Sequence, residues 1–208
     1  MSVFSSNGGD GGGVAGGCAE LVLGSQASAA ADPIRAFSLD VNNATLTANG
    51  LVDGVLRLTG LVIPEDFVAT GFTWLQDQQG SYTADNENRL GVYTSDGTDL
   101  TLVQSSASDG NVWKAAVGQA SKAASATRNY YAGDIVWIGT LLNNSAQVTA
   151  ANLVCGPAPY SATAQKLGLG TSEAWNAYLA AQTTLPESIA WSAVTSSGLR
   201  IRLGVGLY

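Results

Sequence analysis

Tyr130-Tyr131-Ala132-Gly133-Asp134-Ile135-Val136-Trp137-Ile138-Gly139-Thr140-Leu141-Leu142 is the stretch whose reading decides the fold. In an extended strand Ile135, Trp137 and Leu141 leave one face, and Val136, Ile138 and Leu142 leave the other. A strand that is apolar on both faces must be covered on both. It therefore lies centrally between two layers or against a subunit partner. Ala132-Gly133-Asp134 ahead of it and Asn143-Asn144-Ser145 behind it are turn chemistry.

Short strands and turns extend in both directions from this centre. Leu90 and Val92 alternate before Ser95-Asp96-Gly97-Thr98, and Leu100 and Leu102 alternate after it. Asp-Gly between alternating strands predicts a tight hairpin, because a primed turn needs positive φ. Leu56 and Leu58 share a face in Gly54–Ile63, where Gly60 predicts a bulge. Pro64-Glu65-Asp66 breaks that strand, and Phe72 with Trp74 define the next. A polar loop is expected over 76–88. Strand-like segments are expected at 112–117 and 189–194, and a strand or loop at 122–127. Residues 143–188 form a long irregular excursion in which Pro157 and Pro159 exclude a central strand. Within it, 171–181 predicts one short helix, with Ser172 and Glu173 at its start and Trp175 and Leu179 at i, i+4. The final stretch alternates Leu199, Ile201, Leu203, Val205 and Leu207 against Arg200, Arg202, Gly204, Gly206 and Tyr208, which suits an edge or interface strand.

The fold class that follows is all-β, an antiparallel jelly-roll-like sandwich over 32–208. Ahead of it, residues 1–31 contain Gly8-Gly9-Asp10-Gly11-Gly12-Gly13 and Gly16-Gly17, a composition that cannot build a core. We read this segment as an extended anchoring arm that threads along other subunits, with Glu20, Leu21, Val22 and Leu23 as its docking patch.

Composition narrows the function classes. The chain has 208 residues, enough for one ordinary domain, with 46% apolar and only 12% charged residues. A surface so poor in charge favours assembly. The net charge of −7, with nine Lys and Arg residues in no cluster, opposes nucleic-acid binding. No apolar run of about 18 residues predicts a membrane span. Cys18 and Cys155 do not form a disulfide framework, and synthesis in a reducing cytoplasm is expected.

The chain contains no histidine, which removes histidine triads and histidine-ligated zinc. No phosphate-binding loop or dinucleotide fingerprint is present. We expect no enzymatic activity and no cofactor. Asp85, Glu87, Asp96 and Asp99 fall in two loops where hard oxygen ligands could take calcium, where a carboxylate pair could hydrolyse a glycoside, or where they simply cap turns and keep the surface soluble. Tyr160, Trp175 and Tyr178 fall in the excursion and could stack on sugar rings, or plug the end of the sandwich or a subunit seam. Trp74, Trp113, Trp137 and Trp191 sit on strand patterns and are expected in the core.

Four segments resemble the jelly-roll domains that end phage minor tail proteins and tail fibres. They are Leu56-Arg57-Leu58 with Leu61-Val62-Ile63-Pro64, Arg89-Leu90-Gly91-Val92-Tyr93-Thr94-Ser95-Asp96-Gly97, Tyr130 to Trp137, and Thr184-Leu185-Pro186 before an apolar strand. The resemblance covers about four fifths of the chain. It implies a homotrimeric virion protein, made in the host cytoplasm, that is held to other virion proteins and meets a host-surface glycan. No long shaft precedes the domain, which leaves a tail-tip component, a head fibre or a capsid decoration protein that stabilises the shell. A carbohydrate-binding module or depolymerase on the same scaffold is the alternative from another class.

Overall fold

The computed structural model describes residues 34–38, 47–157, 169–170, 172–196 and 201–208. Its strands are β1 (Ala36–Phe37), β2 (Thr47–Gly50), β3 (Val55–Val62), β4 (Phe67–Gln78), β5 (Ser81–Ala84), β6 (Arg89–Ser95), β7 (Asp99–Ser105) and β8 (Gly118–Tyr130). They continue with β9 (Ile135–Leu142), β10 (Asn144–Thr149), β11 (Asn152–Pro157), β12 (Asn176–Leu179), β13 (Ser188–Ala190), β14 (Ile201–Leu203) and β15 (Val205–Leu207). One sheet runs β12-β3-β9-β6-β7-β13. A seven-stranded sheet runs β1-β15-β4-β11-β14, with β8 on β4 and β2 on β11, and β10 pairs β5 separately. The named strands pair antiparallel throughout, giving the antiparallel β-sandwich expected from the sequence.

β9 lies between β3 and β6, and all but its first residue are buried. Val136, Ile138 and Leu142 pack into the main core with Phe72, Trp74, Leu153 and Val205 of the other sheet. Trp137 and Leu141 pack into a second core on the outer face, with Leu56, Leu58, Tyr93, Ala174, Ala177, Leu185, Ile189 and Trp191. The cover for that second face is therefore the excursion itself, residues 174–191, folded back over the sheet. Gly139 and Gly91 are direct cross-strand partners beneath it. A Cβ at Gly139 would lie 2.9 Å from the Tyr93 ring, and one at Gly91 2.7 Å from Leu185. Bare backbone at these two positions lets the outer layer lie close.

The four tryptophans expected in the core are at most 4% exposed. Each indole N–H finds an acceptor: Gln76 for Trp74, the Leu141 carbonyl for Trp113, the Ala174 carbonyl for Trp137, and Ser95 for Trp191. Trp137 and Trp191 meet edge to face at 5.2 Å, a favoured aromatic geometry.

Several expectations are corrected. Of the expected helix 171–181, the described residues 172–181 are not helical, for Asn176–Leu179 is a strand on the edge of β3. The short helix in the long loop is therefore absent among the described residues, where the only helical turns are the 3₁₀ segments Val112–Lys114 and Trp191–Ala193. The unused hydrogen bonds along the β3 edge outweigh a weak helical pattern. Val112–Lys114 is one of those turns rather than a strand. Gly60 forms no bulge, since β3 stays in register with β9 from Val55 to Val62. β11 lies inside its sheet, with Pro157 at its last position. The final strand is not simply an edge. Residues 201–203 pair with β11 and 205–207 with β4 and β1, the change of partner falling at Gly204.

β8 links the two sheets. Its register on β4 slips between Arg128 and Ala123, and Ala124 bridges to Ser106 beside β7. Gln104 on β7 holds this corner, its amide donating to the Ala69 and Ala126 carbonyls at 3.2 and 2.8 Å. The same amide oxygen accepts from the Tyr130 hydroxyl at 3.0 Å. Burial of that phenol raises its pKa well above the ordinary tyrosine range.

Gly139→Val should overpack the outer layer and cost about 1–3 kcal/mol. Ile138→Ala, which opens a cavity in the inner core, should cost about 2–5 kcal/mol. Urea unfolding should show both as shifts in midpoint at unchanged slope.

Candidate functional site

The four acidic residues do not converge. Glu87 and Asp96 flank opposite ends of the seven-residue β6. At about 3.3 Å per residue they stand more than 20 Å apart, far beyond a glycosidase pair at roughly 5–10 Å. Glu87 contacts Arg89 at 2.9 Å and accepts from the Leu185 amide at 3.0 Å, so it ties the outer layer to β6. Asp96 caps the hairpin turn by accepting from the Thr98 and Asp99 amides, both at 2.8 Å. Those bonds hold its carboxyl below the ordinary aspartate value. The Asp85 loop is fixed by an asparagine clasp. Asn88 donates to the Asp85 and Asn143 carbonyls and accepts from the Asn143 amide at 2.9 Å. No group of three or more potential metal ligands is found among the described residues.

Trp175 and Tyr178 do come to one place, the edge of the six-stranded sheet at β12. Trp175 is half-buried against β3. Its carbonyl accepts from the Gly60 amide at 2.6 Å, and a Cβ on Gly60 would lie 2.8 Å from its ring. The Arg202 guanidinium lies 5.9 Å from the ring centre and also donates to the Gly60 carbonyl. Arg202 thus joins β14 of one sheet to β3 of the other at this edge. Tyr178 is half-buried, and its backbone exchanges two hydrogen bonds of 2.9 Å with Thr195. Tyr160 and the arm residues Glu20–Leu23 lie outside the described residues.

The same edge carries a polar group that sequence reasoning missed. On β3, Leu56 and Leu58 face the outer core, so Arg57 points between the sheets. It pairs across the strands with Thr140 on β9 and Tyr178 on β12. Asn176, two residues from Tyr178, faces the same way because Ala177 belongs to the outer core. Cys155 on the opposite sheet is a fully buried thiol within electrostatic reach of Arg57. Thr140 and Asn176 are 0% and 2% exposed. Both amide atoms of Asn176, Thr140 Oγ1 and Arg57 Nε are buried without a hydrogen-bond partner. Burial pulls the Arg57 pKa down, while Cys155 and Tyr178 act in the opposite direction.

Leu56-Arg57-Leu58 gave no warning of this. In a strand buried on both faces, alternation does not say whether the odd charge points to solvent or inward. The seam leaves more donors than acceptors unpaired. Compared with known proteins, the chain matches no family model and no curated relative.

The Asp96 cap carries a signed pH dependence. Its folded pKa lies below the ordinary 3.8, so its contribution is present above that value and lost as pH falls through the depressed one. Asp96→Ala should therefore melt below the parent protein at neutral pH, with the gap closing in acid. Calcium should leave both midpoints unchanged.

Proposed function

We propose that this chain is a structural protein of a tailed-phage virion, displayed on the particle surface as an oligomer and contributing to host attachment. One observation carries the reading. The segments that resemble phage tail domains lie far apart in the chain but meet in space. Three of them supply β3, β9 and β6, which are adjacent in one sheet. The fourth, Leu185-Pro186, lies over them, Leu185 in the outer core and the Pro186 carbonyl accepting from the Tyr93 hydroxyl at 3.1 Å.

The surface supports the same reading. With 12% charged residues in the chain and Val62, Val68 and Tyr131 each more than half exposed, contact with further protein is favoured. Several copies on one particle would turn weak contacts into useful avidity. The arm at 1–31 would supply the link to other virion proteins.

Light scattering after size exclusion should give three times the 21.2 kDa chain mass, and a monomer at micromolar concentration would refute the trimer. Gold-labelled antibody should decorate purified particles at the tail tip, whereas labelling of the head shell would move the protein to the capsid decoration class. Deleting residues 1–31 should abolish incorporation while the domain still folds, as judged by an unchanged melt.

A further inference from the structure

We draw no further inference here: the strongest candidate, the exposed apolar surface of Val62, Val68 and Tyr131 where the β3–β4 and β8–β9 turns meet, carries nothing because nothing in the structure shows what covers it.

Discussion

A strand that is apolar on both faces can exist in water only inside two layers, and β9 imposes that condition on everything around it. The seven-stranded sheet answers on one side. On the other, among the described residues, the cover is residues 174–191, held down by Trp191, Ile189, Leu185 and two small alanines. The fixings are specific. The indole of Trp137 bonds the Ala174 carbonyl, the Tyr93 hydroxyl bonds the Pro186 carbonyl, and Glu87 receives the Leu185 amide. What looked like an irregular excursion is therefore a structural layer, and its sequence irregularity reflects its task. It follows a sheet surface shaped by Gly91 and Gly139 rather than a period of its own.

The features legible in the sequence were those set by local chemistry. Asp96-Gly97 fixed the hairpin because the turn needs a positive φ, and Gly97 has φ of +93°. Apolar alternation marked β6 and β7, a run apolar on both faces marked β9, and the four tryptophans assigned to the core are buried. The features that escaped were those decided by distant partners. Trp175 and Leu179 have helical spacing, but β3, more than a hundred residues earlier, offers an unpaired edge that claims Asn176–Leu179. Gly118–Tyr130, rich in Ala and Ser, has little intrinsic strand preference and is extended because β4 templates it. Gly60 suggested a bulge because the chain alone does not reveal that an indole will lie on it.

For the candidate site the division is similar. The aromatic residues at 175 and 178 could be picked out as residues that need explaining, and they do meet at one edge. The polar atoms beside them could not, because Arg57, Thr140 and Asn176 come from three strands and each looks ordinary in its own segment. The acidic residues, by contrast, attracted attention by their chemistry and then dispersed. Asp96 is spent on its turn and Glu87 on Arg89 and Leu185. Proximity in sequence across a hairpin is misleading when the strand between is seven residues long.

The attachment of β1 has a mechanical consequence. Among the described residues, its two residues pair with β15, Ala36 opposite Leu207 and Phe37 opposite Gly206. Flanking bonds from the Arg35 amide to Leu207 and from the Ser38 amide to Val205, and the burial of Ile34 and Phe37 against Leu75 and Val154, complete the joint. A pull applied at Ile34 enters the domain here. β15 is flanked on its other side by β4, which reaches β8 and β11 in turn. The joint is thus a short fuse in front of a broad load-bearing sheet: under tension it yields first, and the sandwich behind it keeps its shape.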